Sequence, residues 1–263
     1  QGAADNEKGF FERIDVVLQN DYIMKKQQVY YGGRTAFYDE NLGLKHVLDE
    51  LHAPKRTNFF NEGARGLAFL NDRKNYPWML KDPRLCITLR TWLPLLEFVP
   101  AVVFAYRHPI DVALSLKKRE FERYKISRSL VLWYVYNRRA VQQSHDLCRV
   151  VVAHKNTMKR PQEETDRIFS ELHACGVRVP RRLSIADVNT FVDIKLQHGR
   201  NDLQQDDPCS APGGTAKMLP PPAWPTQEEA HLKLFRECMR VYCAFEDHSA
   251  FSPDFVWDNT IVD

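Results

Sequence analysis

The sequence has few of the features that mark a metal site or a disulfide framework. None of its six cysteines forms a CxxC pair, and none stands at zinc-ligand spacing from a histidine. An even number of cysteines in a chain of 263 residues does not establish disulfide bonds, so the redox compartment stays open. We expect no metal, and we expect most cysteines to be small buried hydrophobic side chains. They are Cys86, Cys148, Cys175, Cys209, Cys238 and Cys243.

Long apolar runs and a strong charge of one sign are also missing. The most apolar stretch, residues 93–106, is too short to span a membrane and contains Glu97 and two prolines. The formal net charge is only +3, without the clustered basic stripe of a nucleic-acid binder. We therefore predict neither a membrane span nor a nucleic-acid partner.

The first residues contain no targeting signal that would indicate a cellular location. The chain opens on the polar segment QGAADNEKGFF, which has no initiator Met and no signal peptide. Such a start indicates a mature product or a fragment. Cytoplasmic and Golgi-lumenal locations both remain open, and so does the oligomeric state.

A P-loop is also missing from the sequence. The segments YYGGRT (30–35) and APGGTAK (211–217) contain Gly and Thr, but neither follows an apolar strand. No Walker lysine with a neighbouring Mg²⁺-holding Ser or Thr is found. A P-loop nucleotide kinase, which would need that motif, is therefore only a third hypothesis.

What the sequence does contain is an alternation of helical and strand patterns. Apolar spacing predicts helices at 12–26, 41–52, 58–74, 84–99 with a kink at Pro94, 110–123, 127–147, 162–176, 184–197 and 226–245. Short apolar runs predict strands at 77–82, 101–106 and 148–154. Strands alternating with helices indicate an α/β fold with a parallel sheet flanked by helices, followed by a helical C-terminal portion.

The composition divides the chain into three parts. Residues 1–200 hold the alternating pattern and form the expected α/β domain. Residues 201–225 include a segment rich in proline with two adjacent glycines, which is typical of a loop or linker. Residues 226–263 contain an amphipathic helix and a tail, which we expect to pack on the same domain.

Two predicted strands end alike, in MLKDPR and AYRHPI. Each ends in a cation and is followed by a proline suited to the first turn of a helix. Ligands of open parallel sheets gather at the carboxyl ends of the strands, and the start of a helix there attracts anions. Arg107 and Ser115, which lies on the helix face away from the apolar stripe, therefore form a candidate phosphate clamp. Alternatively, Arg107 pairs with Asp111 and Ser115 bonds to its own helix.

Three segments carry a family resemblance. KGFFERIDVVLQND, WMLKDPRLCITLRTWLPLL and VVFAYRHPIDVALSLKKRE, in this order and at these separations, resemble the PAPS-dependent sulfotransferases, particularly bacterial-type carbohydrate-sulfotransferase-like members. The similarity covers residues 5 to 155 and continues more weakly through FVDIKLQHGR. It implies a P-loop-NTPase-like α/β fold and 3′-phosphoadenosine 5′-phosphosulfate (PAPS) as the sulfuryl donor.

The resemblance also assigns donor-binding residues. The arginine that ends the central strand and the serine in the following helix bind the donor's 3′-phosphate in this family, and they match Arg107 and Ser115. Late basic residues of the family approach the same phosphate, which makes Lys195, His198 and Arg200 further candidates. A solvated helix end is the alternative for those three.

One part of the family pattern is not found. The family binds the 5′-phosphosulfate on a Gly/Ser/Thr-rich loop after its first strand, upstream of the segment that matches KGFFE. Residues 1–11 supply no such strand and loop. We therefore expect either that the natural protein continues upstream or that this chain holds only the 3′-phosphate end of the donor.

Sulfuryl transfer needs a base for the acceptor hydroxyl and a cation for the charge on the bridging oxygen. The resemblance makes Glu12 the first candidate for the base and Glu7 the second, while Lys81 is the candidate cation. Asp82, Arg84 and Phe11 are candidates for binding the acceptor. The alternatives are solvated carboxylates for the two glutamates, a helix cap for Asp82, an ion pair for Lys81 and Arg84, and a core position for Phe11.

The predicted activity is transfer of a sulfuryl group from PAPS to a hydroxyl of a carbohydrate or small-metabolite acceptor, without a metal. The alternative from another class is a catalytically inactive binding module that retains only the 3′-phosphate site.

Overall fold

The computed structural model describes residues 12–29, 33–52, 60–119, 125–179, 183–192, 208–210, 214–221, 224 and 228–261. Its α-helices are α1 (Ile14–Lys26), α2 (Glu40–His52), α3 (Phe60–Asn71), α4 (Leu85–Trp92), α5 (Pro109–Arg119), α6 (Ile126–Gln143), α7 (His154–Lys159), α8 (Pro161–Ala174), α9 (Ile185–Phe191) and α10 (Glu229–Glu246). Its strands are β1 (Val102–Tyr106) and β2 (Arg149–Ala153). The predicted helices are thus confirmed in kind, and most bounds differ by a few residues.

The two strands form a parallel pair. Their register runs from Val102 opposite Arg149 to Tyr106 opposite Ala153. Both strands consist largely of β-branched and aromatic residues, which fit a pleated surface buried on at least one side. Because a parallel pair needs a long crossover, α5 and α6 occupy the connection between them. The described ranges are therefore mostly helical, with a small two-stranded parallel sheet flanked by helices, which is consistent with the predicted α/β class.

The main core lies between the sheet, α6 and α10. The Phe245 ring of α10 is fully buried, and its centroid lies 5.1 Å from that of Phe104 and 5.2 Å from that of Tyr106. Leu130 and Tyr134 of α6 complete this layer and are also fully buried. Burying each such side chain stabilises the fold by about 1.5 to 3 kcal/mol. The residues from 228 onward therefore pack on the same core as β1.

A second group of helices packs beside α6. Ile23 and Met24 of α1, Val47 of α2 and Ile87 of α4 form one buried cluster. In α1 the buried positions recur at the three- and four-residue spacing of a helix face, which is why that segment is helical and turns this face inward. The contact of α4 with α6 joins this group to the main core.

The predicted strand at 77–82 is wrong. Val16, Leu70 and Trp92 form a third buried cluster. Trp78 and Leu80 pack against it, while Met79 between them is exposed. The alternation is that of extended backbone, but a strand also needs a neighbouring strand for its hydrogen bonds. In the structure these residues form an irregular segment without strand pairing.

The expectation that the cysteines are mostly buried hydrophobic side chains is also wrong. Cys148 is disulfide-bonded to Cys175, and Cys209 to Cys243. Cys86 and Cys238 are free. The pairing brings together residues 27 and 34 positions apart, which no spacing rule predicts.

Several predicted helix ends are confirmed. Gly176 adopts a left-handed backbone with φ +79°, and the amide of Val177 donates to the carbonyl of Leu172 at 2.9 Å, which is a Schellman cap on α8. Ser184 caps α9, and its side chain and that of Asp187 satisfy each other's backbone amides. At Pro94 the α-helix gives way to a short 3₁₀ turn. Within the described ranges, no helix has the length and apolar character needed to cross a membrane.

Candidate functional site

The carboxyl ends of β1 and β2 bring two cationic or titratable residues side by side. Tyr106 pairs with Ala153 in the sheet, so the next residues in register are Arg107 and His154. Arg107 leads into α5, and His154 is the first residue of α7. This edge of a parallel sheet is where ligands of open α/β proteins bind.

Within the described ranges, two donors of the Arg107 guanidinium have no acceptor. They are Nε and Nη2, and both atoms are buried. The nearest carboxylate oxygen is Asp111 Oδ2, 3.6 Å from Nε, which is an ion pair but too long for a hydrogen bond. Nε and Nη2 share one edge of the guanidinium plane, and their parallel N–H groups suit two oxygens of a phosphate or sulfate. Buried donors without partners are rare enough to require an explanation.

The backbone at Arg107 is held in place from two sides. Trp133 of α6 donates from its indole nitrogen to the carbonyl oxygen of Arg107 at 3.0 Å. Ile110 and Ala113 anchor α5 in the main core. The side chain of Arg107 therefore starts from a rigid strand end, which lowers the entropic cost of binding a ligand.

Ser115 lies one helical turn beyond Asp111. Residues four apart share a helix face, so Ser115 stands on the same face of α5 as the carboxylate that Arg107 approaches. Its side chain is half-buried. The structure thus places Ser115 on the face of α5 that Arg107 contacts, as the clamp hypothesis requires.

Two histidines stand at the same edge, and both are shifted toward the neutral form. Burial lowers the pKa of His108, with Arg107 and Lys155 adding to the effect and Asp111 and Glu246 opposing it. Burial also lowers the pKa of His154, where Arg107 adds to the effect and Asp111 opposes it. Both imidazoles therefore favour the neutral form, and the charge of Arg107 acts on both.

A carboxylate from α10 organises the far side of this edge. Glu246 accepts a hydrogen bond from the Tyr106 hydroxyl at 2.9 Å and pairs with the ammonium of Lys155. The ring of Tyr242 lies edge-on to that of His108, with 5.0 Å between centroids. Burial and the hydrogen bond to Glu246 raise the pKa of Tyr106, which stays protonated. Lys155 is thus held by Glu246, unlike Arg107, whose donors are available.

A second group of predicted residues meets elsewhere. The ammonium of Lys81 donates to the Glu12 carboxylate at 2.7 Å, although 69 positions separate them in the sequence. About half of the Lys81 side chain is exposed, whereas the Glu12 side chain is 19% exposed. The structure therefore brings together the first candidate base and the candidate cation.

Asp82 and Arg84 belong to a buried polar network. The Asp82 side chain is fully buried and accepts hydrogen bonds from the backbone amide and Nη1 of Arg84 and from Asn20 Nδ2. Arg84 also pairs with Asp21. Burial alone would lower the pKa of Arg84, but the hydrogen bonds to Asp82 and Asp21 raise it overall. The ion pairs of Arg84 and of Lys81 are the alternative named above to acceptor binding. The N-cap position of α4 is Arg84 and not Asp82, which accepts from the Arg84 amide within the preceding turn.

Asn20 of α1 ties the network to α4. It is fully buried, donates to Asp82 at 2.8 Å, and accepts from the Thr88 hydroxyl at 2.8 Å and from the Trp92 indole at 2.7 Å. Such a fully satisfied network rigidifies the turn that carries Lys81.

The other predicted site residues are not among those that the structure describes. Five predicted site residues lie outside the described residues: Glu7, Phe11, Lys195, His198 and Arg200. Among described residues, no hydrogen bond or ion pair joins the group of Lys81 and Glu12 to that of Arg107 and Ser115.

The residues around Arg107 that sequence reasoning missed are His108, His154, Lys155 and Glu246. A signal for His154 and Lys155 was present, because VVVAHK repeats the pattern of an apolar strand followed directly by basic residues. Glu246 gave no such signal, since it lies at the end of a helix 140 positions from its partner Tyr106.

A cavity of about 350 Å³ opens on another side of α6. Its lining includes Phe37, Arg138, Arg139 and Asn259. Arg139 donates there through Nη2 to the Tyr38 carbonyl and to Glu40, and its Nε is buried without a hydrogen-bond partner among the described residues. These residues contain none of the groups at the strand ends, so the cavity is separate from the Arg107 site.

No set of three or more His, Cys, Asp or Glu side chains in the described ranges is arranged to hold a metal ion. Comparisons of the chain with models of protein families, with curated proteins and with solved structures found no match. The function proposed below is therefore supported by the contacts of these residues and by the motifs to which they belong.

Proposed function

We propose that this chain is a PAPS-dependent sulfotransferase that binds the 3′-phosphate of the donor at Arg107. The observation that carries the proposal is the guanidinium edge of Arg107, just before α5, whose Nε and Nη2 are buried without a hydrogen-bond partner among the residues that the structure describes. A phosphate would satisfy both donors at once. The P-loop-like sheet order that the resemblance implies is part of the same proposal.

The surroundings of Arg107 favour a phosphate over a carboxylate. Because α5 begins at Pro109, which has no N–H, the amides of Ile110 and Asp111 are those of the first turn without intrahelical partners, and they add partial positive charge where the strand ends. Ser115 supplies a hydroxyl on the adjacent face of α5. A tetrahedral anion has enough oxygens to use the arginine edge, the helix start and the hydroxyl together, whereas the arginine edge alone occupies both oxygens of a carboxylate.

The reaction follows from the chemistry of the donor. The acceptor oxygen forms a bond to sulfur while the bond from sulfur to the bridging phosphate oxygen breaks, and adenosine 3′,5′-bisphosphate leaves. The acceptor proton passes to a base, for which Glu12 is the candidate. Lys81, 2.7 Å from Glu12, is the candidate for neutralising charge on the bridging oxygen. The acceptor is a hydroxyl of a carbohydrate or of a small metabolite.

The test is calorimetric titration of the chain with adenosine 3′,5′-bisphosphate, with ATP as the reference ligand. We expect Arg107→Ala to weaken bisphosphate binding by about 2 to 4 kcal/mol, because it removes a buried charge-assisted contact. Arg160→Ala is the matched control, since that side chain is 63% exposed on α8 and should leave the affinity unchanged.

Unchanged affinity of the Arg107→Ala variant would remove Arg107 from the site. A transfer assay with sulfur-labelled PAPS and a panel of hydroxyl acceptors then separates the enzyme from the binding module. Label transferred to an acceptor supports the enzyme, whereas bisphosphate binding without transfer supports the module that retains only the 3′-phosphate site.

A further inference from the structure

We propose that His154 is a second ligand of the phosphate group bound at Arg107 and that it takes up a proton when the anion binds. The inference rests on the function proposed above, because it concerns the same anion. It adds to that function a binding residue that the sequence motifs do not identify, and a dependence of binding on pH.

The placement of His154 comes from the sheet. Since Tyr106 is paired with Ala153, Arg107 and His154 leave neighbouring strands at the same level. The backbone therefore brings both residues to the carboxyl edge of the sheet, and the charge of Arg107 adds to the lowering of the His154 pKa. An anion held on the open edge of the Arg107 guanidinium then lies at the same strand edge as His154.

The charges around His154 explain why its protonation depends on the anion. The charged groups that face it are Arg107, which disfavours the imidazolium, and Asp111, which favours it, while burial is the larger effect and keeps the ring neutral. A bound phosphate dianion reverses the sign of the local field, because it adds two negative charges beside one fixed positive charge. The imidazolium then becomes the favoured form and donates to a phosphate oxygen.

His108 is less suited to this role than His154. It faces Asp111 and Arg107 and also Lys155 and Glu246, so a permanent ion pair already dominates one side of it. Its ring is packed edge-on against Tyr242. The anion is therefore a smaller change in the surroundings of His108.

Linkage makes the effect measurable. If binding takes up a proton, the affinity for the anion falls as the pH rises through the pKa that His154 has in the complex, by up to about tenfold per pH unit for one proton. The experiment is calorimetric titration with adenosine 3′,5′-bisphosphate at pH 6, 7 and 8, each in two buffers of different protonation enthalpy. The difference between the buffers gives the number of protons taken up.

The variants are His154→Gln and, as matched control, His173→Gln. His173 is exposed near the end of α8, beside the disulfide at the amino end of β2 and so at the opposite edge of the sheet. The phosphates of the ligand titrate equally with every variant, so the comparison isolates the protein's share. We expect the wild type and His173→Gln to take up more protons than His154→Gln, and we expect the affinity of His154→Gln to depend less on pH.

The other outcomes contradict either the inference on His154 alone or the proposed function as well. Binding with the same proton uptake in the wild type and in His154→Gln would overturn this inference and leave the proposed function intact. No binding by the wild type at any of the three pH values would overturn both. If His154→Gln fails to fold, the imidazole proton resonances of the wild type decide: a shift of the His154 signal to its protonated position on adding bisphosphate supports the inference, and an unchanged signal overturns it.

Discussion

The contacts of Arg107 are compatible with both roles that the sequence leaves open, namely an ion pair with Asp111 and the binding of an anion. It does pair with Asp111, one turn into α5, but at 3.6 Å the pair leaves two guanidinium donors unused. An arginine fully committed to structure would resemble Arg84, whose guanidinium bonds to both Asp82 and Asp21. The contrast between these two arginines is the reason to propose an anion site at the end of β1 and not at the turn before α4.

The two histidines near Arg107 make the stability of the protein depend on pH. Burial lowers the pKa of both His108 and His154 in the folded chain, whereas in the unfolded chain both titrate near the ordinary value of 6.5. Below that pH the unfolded chain binds more protons than the folded chain, so the free energy of unfolding falls as the pH decreases. Above it both rings are neutral in both states and contribute no pH dependence.

Urea denaturation between pH 7.5 and pH 5 measures this decline. We expect the wild type to lose more stability over the interval than the His108→Gln/His154→Gln double variant. Equal slopes for the two proteins would show that other groups control acid unfolding.

At the scale of elements, the sequence predicted local features better than pairings. The apolar spacing of α1 and the caps of α8 and α9 involve residues within a few positions of each other, and all are confirmed. Residues 77–82 show the limit, because their alternation is real but, in the part of the chain that the structure describes, they pair with no strand. Extended backbone can be predicted from six residues, whereas a sheet depends on what the rest of the chain places beside them.

The crossing of α2 and α4 depends on the absence of a side chain at one position. Tyr38 and Thr91 share a buried hydrogen bond of 2.7 Å directly against Gly43 of α2. A Cβ atom at Gly43 would lie 2.0 Å from the Tyr38 hydroxyl oxygen and 2.7 Å from that of Thr91. The close approach of these two side chains therefore requires glycine.

We expect Gly43→Ala to lower the free energy of unfolding by about 1 to 3 kcal/mol, as overpacked cores do, although alanine is the better helix former. Lys45→Ala, at an exposed position of the same helix, should stay within about 0.5 kcal/mol of the wild type. Denaturant unfolding provides the measurement. A Gly43→Ala protein at least as stable as the wild type would mean that Tyr38 can move aside without loss.

At the scale of the whole molecule, two disulfides connect elements that are separate in the sequence. Cys148, just before β2, is bonded to Cys175 at the end of α8, and the Arg167 guanidinium adds a hydrogen bond from α8 to the Val151 carbonyl. The second disulfide ties residues 208–210 to α10 through Cys209 and Cys243. Disulfides of this kind form and persist in oxidising compartments. We therefore expect the protein to fold in such a compartment.

Alkylation of the unfolded protein followed by mass measurement tests this expectation. Without reduction, two of the six cysteines should react, namely Cys86 and Cys238, and after reduction all six should react. Removing the bond across 27 positions with Cys148→Ala/Cys175→Ala should lower the free energy of unfolding by about 3 kcal/mol, while the unreduced count stays at two. Six reactive thiols without reduction would contradict both disulfides.

The sequence by itself determined every described α-helix except α7, the strands before Arg107 and His154, and Arg107 as the residue between a strand and a helix. These features depend on side-chain periodicity, capping and backbone preferences over a few neighbouring residues. Only the tertiary structure decided that Lys81 meets Glu12, that His154 stands beside Arg107 and that Cys148 joins Cys175. Contacts between distant residues follow from how whole elements pack, because burying apolar faces sets the positions of the strand ends and helix ends that carry these groups.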